Sequence, residues 1–372
     1  PLRIPVIEMV EIGAGGGSIA QIDNLGRIQV GPESAGSEPG PACYGQGGEG
    51  ATVTDADVAL GRIAPEGFAG GSVELSPELA TAALDGAIAR KMNLDGPLAA
   101  FAVSEMVEEN MSNAARVHAV EQGKELADRT LIAFGGAAPL HACRMAEKLG
   151  MDRVIIPQGA GVGSAIGFLA APVSYEVVRS RYTKLAEFEP DGLSRMFAEM
   201  HDEAQAIVAA GAPGAEVEER RIAYMRYIGQ GHEIVVDVPV RDLTEADGAG
   251  LKAAYDQAYE ELFGRVIPSM QVEILTWALS VATVQPPTDR QDDVPGDVAA
   301  NATGQRQLFD ADQTDFVTAL VYQRDDLAPG MSLPGPALIM EAQTTTVVSG
   351  HFTANVIGAG HMELRRKTGD TP

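Results

Sequence analysis

The sequence predicts an α/β fold, and three observations carry that expectation. Two short runs of the buried-strand type, Leu131-Ile132-Ala133-Phe134 and Val154-Ile155-Ile156, each lead through glycine into a helical pattern. The helical pattern between them, 139–149, is stopped by Gly150, as a left-handed C-terminal residue would stop it. Helical stripes and alternating runs also recur in turn along the remaining chain. Strand, helix and strand at this spacing argue for right-handed βαβ units.

The opening run 6–12 is strand-like, so the chain reads as though it begins within a domain. Residues 19–30 alternate around Asn24-Leu25-Gly26, which predicts a hairpin. The stretch 31–50 is dense in Gly, Pro, Ser and Glu and reads as an ordered irregular loop. Ser76 followed by Pro77 starts a helix carrying Leu79, Ala83, Leu84 and Ile88. A second helix starts near Pro97 and ends at Gly123, with Val103, Met106, Val107, Met111, Ala114, Val117 and Val120 as its apolar stripe. The strand–helix–strand segment follows, then a helix over 161–170 and a strand over 173–182. Beyond 185 come a helix marked by Leu193, Phe197, Met200 and Ala204, a strand pair at 222–227 and 232–238, and a helix closed by Gly264. A strand around Trp277 precedes an acidic, proline-containing linker at 286–305. Residues 337–366 are strand-rich.

With 27 basic and 52 acidic residues, the net charge is −25. That balance argues against nucleic acid and anionic membrane surfaces, which need clustered Lys and Arg. No apolar run reaches the length of a membrane span. Two cysteines, Cys43 and Cys143, rule out a disulfide framework or a four-cysteine zinc site, and a reducing cytoplasm is the expected location.

Three segments could carry chemistry. Gly13-Ala14-Gly15-Gly16-Gly17-Ser18 offers close-approaching N–H groups and a hydroxyl to an anion, or is a tight turn requiring glycine. It has no lysine where a Walker loop needs one. Phe134-Gly135-Gly136-Ala137-Ala138-Pro139-Leu140-His141 leaves a side-chain-free surface and points a helix N-terminus at a nucleotide's base, ribose or phosphate. The same residues would also serve close strand–helix packing, and His141 is either a ligand contact or a hydrogen-bonded structural residue. In Thr52-Val53-Thr54-Asp55-Ala56-Asp57, the two carboxylates share a side if the segment is extended, as a hard cation needs. Alternatively, Thr54 or Asp55 caps a helix. Cys43 has no neighbouring base and reads as a packed thiol.

Taken in order, these motifs resemble one family. The 13–19 loop, Val30-Gly31-Pro32-Glu33-Ser34-Ala35-Gly36, Pro39-Gly40-Pro41-Ala42-Cys43-Tyr44-Gly45 and 52–57 are similar to the hydantoinase A/5-oxoprolinase family. So are Leu60-Gly61-Arg62, 134–142, the 157–167 segment with Ala160-Gly161-Val162-Gly163-Ser164-Ala165, Tyr227-Ile228-Gly229-Gln230-Gly231-His232-Glu233 and Gly335-Pro336-Ala337-Leu338-Ile339. The resemblance implies an actin/sugar-kinase-like α/β lobe, placed over 1–184; the change of pattern near 185 sets off an α+β region over 185–285, followed by the linker at 286–305 and a strand-rich region over 306–372. It implies ATP with Mg²⁺, used to phosphorylate a lactam or imide carbonyl before hydrolysis; related acetone and acetophenone carboxylase subunits activate bicarbonate or a ketone. Gly135, Gly136, Ala137 and Pro139 are then the first candidates for nucleoside contact. Gly15, Gly16, Gly17 and Ser18 are the next, and Asp55 and Asp57 are the metal candidates. No general base is assigned. A hydantoinase B-like subunit and a small cyclic amide are the implied partners. Family members carry an N-terminal half with further phosphate loops unmatched here, so the chain is expected to be the C-terminal half.

Overall fold

The computed structural model describes residues 9–286, 296 and 298–367. They divide into two compact units, 9–169 with the C-terminal residues, and 170–286. The expected strand at 6–12 is not formed at 9–12, and residues 6–8 lie outside the described part. The larger unit opens on the antiparallel hairpin β1 (Ser18–Ile22) and β2 (Ile28–Ser34), with Ala20 opposite Val30. Its turn is held by the Asp23 carboxylate, which accepts the N–H groups of Leu25 and Arg27. α1 (Val53–Ala59) begins at a reciprocal cap between Thr52 and Asp55.

α2 (Pro77–Leu84) begins at Ser76, whose hydroxyl accepts the Leu79 N–H, and runs through a π-helical segment, Asp85–Ala89, into α3 (Arg90–Met92). α4 (Gly96–Glu121) is capped by Asp95 and buries Ala99, Ala100, Val103 and Val107 with Val53, Ala56 and Leu60 of the α1 segment. Its stripe does not stay buried to the end: Val117 and Val120 are exposed. β3 (Leu131–Ile132), α5 (Ala138–Leu149) and β4 (Arg153–Ile156) form the expected strand–helix–strand unit, the strands parallel with Leu131 opposite Val154. α6 (Gly163–Ala170) follows.

The smaller unit consists of β5 (Ser174–Lys184), α7 (Pro190–Gly211), β6 (Val217–Tyr227), β7 (Ile234–Val238), α8 (Glu245–Phe263) and β8 (Val272–Thr283). Its antiparallel sheet has the order β5-β8-β6-β7. Leu193, Phe197 and Met200 of α7 and Leu251, Tyr255 and Tyr259 of α8 bury one core with Met225, Tyr227 and Trp277 of the sheet. Trp277 meets Phe197 edge-on at 5.8 Å and donates its indole N–H to the Arg181 carbonyl. The sequence boundary at 184/185 falls after β5, whereas β5 pairs with β8 from Ser174 to Lys184 and therefore belongs to this unit.

The chain then returns to the larger unit as β9 (Val298–Ala299), β10 (Gly304–Asp310), β11 (Asp315–Gln323), β12 (Met331–Pro334), β13 (Ala337–Met340), β14 (Thr345–Val348), β15 (Phe352–Val356) and β16 (Met362–Arg366). These complete a six-stranded sheet, β3-β4-β16-β15-β12-β9, and a four-stranded one, β10-β11-β13-β14. Residues 306–372 were expected as a separate region; their described part instead rejoins the first 160 residues, with Leu364 opposite Val154 and the Phe309 N–H donated to the Leu60 carbonyl. The cause is burial. Val154 and Ile156 of β4 and the inner face of α5 (Ala142, Cys143, Ala146, Leu149) gain their apolar partners from Ile339, Phe352 and Leu364. The expected linker lies largely outside the described residues. Among the described residues no helix is long and apolar enough to cross a membrane.

Candidate functional site

The diglycine turn between β3 and α5 lies beside a cleft of the larger unit. Gly135 has φ of +102°, which favours glycine, and its N–H donates to the Ala160 carbonyl at 2.7 Å. The Gly136 carbonyl accepts the Thr344 hydroxyl at 2.9 Å. α5 then begins with Pro139 in its first turn, no side-chain cap and no acidic residue there. The cleft is open to solvent and is walled by 63–64, 67–69, Gly136, Leu140 and 340–345. A Cβ at Gly136 would meet only the Gln343 carbonyl, at 3.6 Å, so a side chain here would occupy cleft space without a clash. Glycine thus leaves a flat backbone surface under apolar walls, with an uncapped helix start behind it. That arrangement fits a nucleoside.

Behind the cleft lies a buried charge network that ties α1, α4 and α5 together. Arg62 Nη1 is 3.1 Å from Asp57 Oδ1, 3.1 Å from Glu108 Oε1 and 2.6 Å from Ser104 Oγ. His141 Nδ1 is 2.9 Å from Glu108 Oε1, and its Nε2 is 3.4 Å from Asp57 Oδ2. His141 Nδ1 also approaches Arg62 Nη1 at 3.2 Å. Arginine has no acceptor to offer, so the His141 Nδ1–H donates to the Glu108 carboxylate. Burial disfavours the imidazolium, but Asp57 and Glu108 outweigh it and raise His141 to about 9. Burial likewise opposes the two carboxylates. His141 and Arg62 overcome it at Asp57, and Arg62 and His141 at Glu108, so both stay below their ordinary range. Two cations face two anions, and the cluster is neutral overall. Arg62 precedes the 63–69 wall and His141 follows Leu140, so the network anchors two sides of the cleft.

Asp55 and Asp57 do not share the face of a strand. Both lie in α1, and their oxygens are occupied. The Asp55 carboxylate accepts the N–H groups of Cys43 (2.7 Å), Thr52 (2.8 Å) and Ala42 (3.3 Å) and the Thr52 hydroxyl (2.8 Å). Asp57 is held by Arg62 and His141. A donor-saturated carboxylate and an ion-paired one do not fit Mg²⁺, which needs free oxygens and retained waters. Among the described residues no three His, Cys, Asp or Glu side chains cluster as a metal site.

The 13–18 loop is closed largely on itself. Ser18 Oγ accepts the Gly15 N–H and donates to the Gly13 carbonyl. A Cβ at Gly16 would stand 2.7 Å from Thr54 Oγ1, and one at Gly17 would stand 2.7 Å from Ser34 Oγ. The close approach these glycines permit is to their own neighbours, and none of Gly15, Gly16, Gly17 and Ser18 walls the cleft. Of the expected residues, Gly136 lines it, and Gly135, Ala137 and Pro139 shape its turn. Cys43 is fully buried, and burial followed by the nearby Asp55 charge pushes its thiol up.

The sequence reading passed over Glu108, Thr344 and Glu341. A signal for the first was present: Ser104, Glu108 and Ser112 recur every fourth residue on the buried side of an apolar helix. Thr344 and Glu341 reach the cleft through a turn between β13 and β14, more than 200 residues from Gly136, and no local spacing announces them.

The hydantoinase/oxoprolinase family profile matches residues 1–177, and that of the hydantoinase/oxoprolinase C-terminal domain matches 186–364. The alpha subunit of caprolactamase from Pseudomonas jessenii is 32% identical over 98% of this chain and 53% of its own length. The solved structure of the ATP-dependent caprolactamase from Pseudomonas jessenii superposes with a TM-score of 0.77 at 31% identity, over 95% of this chain and 52% of that one. A nucleotide-free acetone carboxylase, described as catalysing ATP-dependent acetone carboxylation, gives a TM-score of 0.77 at 25% identity over the same shares. The chain therefore spans about half the length of these relatives.

Proposed function

The chain belongs to the hydantoinase/oxoprolinase family, and from that premise we propose that it is the nucleotide-holding part of an ATP-dependent cyclic amidohydrolase. The observation that supports this most is the cleft at Gly136, where a bare backbone surface, apolar walls and an uncapped helix start meet. ATP supplies a phosphoryl group that turns a lactam or imide carbonyl oxygen into a leaving group. Phosphoryl transfer asks a protein mainly for positioning and charge neutralisation. This chain's part is to hold the nucleoside: Gly136 lies against it, Gly135 turns the backbone there, and the Asp57–Arg62–Glu108–His141 network keeps the walls in register. Asp55 and Asp57 are assigned to structure, and no metal step is derived from them. The remaining half of the protein and a hydantoinase B-like subunit complete the enzyme in this reading.

The test is phosphate release by the full-length protein with its partner subunit. Release that requires a lactam, 5-oxoproline or a hydantoin supports the proposal. Release that requires a ketone plus bicarbonate would replace it with the carboxylase reading, which the acetone carboxylase likeness keeps in view. No release with either set of substrates leaves the chain a non-catalytic assembly module. Gly136→Val should abolish ATP binding in calorimetry while the fold is retained, because its side chain enters the cleft rather than the backbone packing.

A further inference from the structure

The buried charge network has an open side. Arg62 Nη1 makes every hydrogen bond of that side chain, reaching Asp57, Ser104, Glu108 and His141. Nε and Nη2 have no partner among the described residues, and neither is sealed from solvent. The side chain is only 10% exposed, and Arg62 lines a second pocket of the larger unit, which shares Leu140 with the Gly136 cleft. Nε and Nη2 form one edge of the guanidinium, the edge that can grip a carboxylate through two parallel N–H···O bonds.

The end of β10 is fastened beside Arg62. The Phe309 N–H donates to the Leu60 carbonyl at 3.0 Å, and Arg306 Nη1 donates to the Ile63 carbonyl at 3.1 Å. Asp310, the last residue of β10, lines the same pocket as Arg62. Its Oδ1 accepts the N–H groups of Asp312 and Gln313, at 3.1 and 2.9 Å. Its Oδ2 has no partner among the described residues and is likewise not sealed from solvent. The other acidic side chains of the pocket are occupied: Glu147 by Arg144 Nη1 and the Ser349 hydroxyl, and Asp312 by His351 Nε2. Phe101 and Phe309, with ring centroids 5.3 Å apart, give the pocket apolar surface. A free guanidinium edge, a free carboxylate oxygen and apolar wall together ask for a ligand with a carboxylate, an ammonium group and a hydrocarbon body. We propose that this pocket binds an amino acid, its carboxylate on Arg62 Nε and Nη2 and its ammonium group on Asp310 Oδ2. Water that breaks a lactam's C–N bond leaves a carboxylate on the carbon side and an amine on the nitrogen side of one chain, so such a ligand is the ring-opened product of the reaction proposed above. A hydantoin would instead leave an N-carbamoyl acid, which has no ammonium group. The origin of the ligand rests on the amidohydrolase reading, and the site itself does not.

Calorimetry on the full-length protein tests it, with 4-aminobutyrate, 5-aminopentanoate and 6-aminohexanoate, each against the fatty acid and the alkylamine of the same length. The best-fitting amino acid should bind the wild type about tenfold to a hundredfold tighter than either counterpart, the worth of a hydrogen bond to a charged group. Asp310→Asn, whose amide oxygen can still hold the 312–313 turn, should erase the advantage over the fatty acid and leave fatty-acid binding unchanged. Arg62→Lys should erase the advantage over the alkylamine. Arg62 also braces the buried network, so Asp310→Asn carries the test if the lysine variant does not fold. An advantage that survives in Asp310→Asn, or amino acids that bind no tighter than their counterparts, overturns the inference. Failure of all three amino acids to bind overturns it as well, and leaves standing the amidohydrolase reading, which lactam-dependent phosphate release tests separately.

Discussion

Raising the pH from 6 to 9.5 should destabilise the larger unit through His141, and replacing His141 with Gln should remove that dependence. The imidazole is fully buried between Asp57 and Glu108, and its pKa lies near 9 in the fold against 6.5 as a free group. Between these values the folded unit keeps a proton that the unfolded chain has released, so stability falls as pH rises. The contribution is complete below about 6.5 and gone above about 9, and at about 1.4 kcal/mol per pH unit it is on the order of 3 kcal/mol. Asp57 and Glu108, both held low, titrate on the acid side and leave this window untouched. The only tryptophan, Trp277, is in the smaller unit, so fluorescence reads the wrong half of the chain. Hydrogen exchange of the α4 amides, which carry Ser104 and Glu108, reads the right one. Comparing wild type with His141→Gln at each pH cancels the intrinsic exchange rate. The protection advantage of the wild type should shrink about a hundredfold from pH 6 to 9.5, the equivalent of on the order of 3 kcal/mol. A wild-type advantage that stays constant across that range would show that His141 is not held as a cation, and would refute the reasoning.

Three further outcomes follow from the same geometry. Gly61→Ala should cost about 2 kcal/mol or more in urea unfolding of the larger unit, because φ is +77° and the new Cβ would lie 2.1 Å from the Gln307 carbonyl oxygen. Asp55→Asn turns an amide donor toward groups that already donate, so it should cost about 2 kcal/mol; added Mg²⁺ should shift the melting temperatures of wild type and variant equally. Cys43 and Cys143 should resist iodoacetamide at pH 8 in the folded protein and react fully in urea, since both are buried and burial raises the Cys143 thiol to about 12.

Local signals in the sequence carried the elements that depend on local chemistry. Ser76-Pro77, Gly150 and the 23–27 turn announce their caps and hairpin, and the strand–helix–strand unit forms where the glycine-punctuated runs predicted it. What local pattern could not carry was the pairing of β4 with β16, separated by about 200 residues, or the allegiance of β5 to β8. Both are decided by which apolar face finds a partner, a property of the whole chain. The site divides in the same way. Gly135 and Gly136 were legible because a diglycine before a helix has few uses. Asp55 and Asp57 were ambiguous because capping and cation binding ask for the same residue types; the number of N–H groups aimed at Asp55 separates the two. Thr344 was invisible, since its hydroxyl bonds the Gly136 carbonyl, more than 200 residues away, and not its neighbours.

Photolabelling with 8-azido-ATP, followed by peptide mapping of the full-length protein, tests the nucleotide assignment most directly. The cleft predicts cross-links within this chain at 63–69, 136–140 or 340–345, all suppressed by excess ATP and lost in Gly136→Val. Labelling confined to 170–286, or labelling of those peptides that excess ATP leaves unchanged, would contradict it.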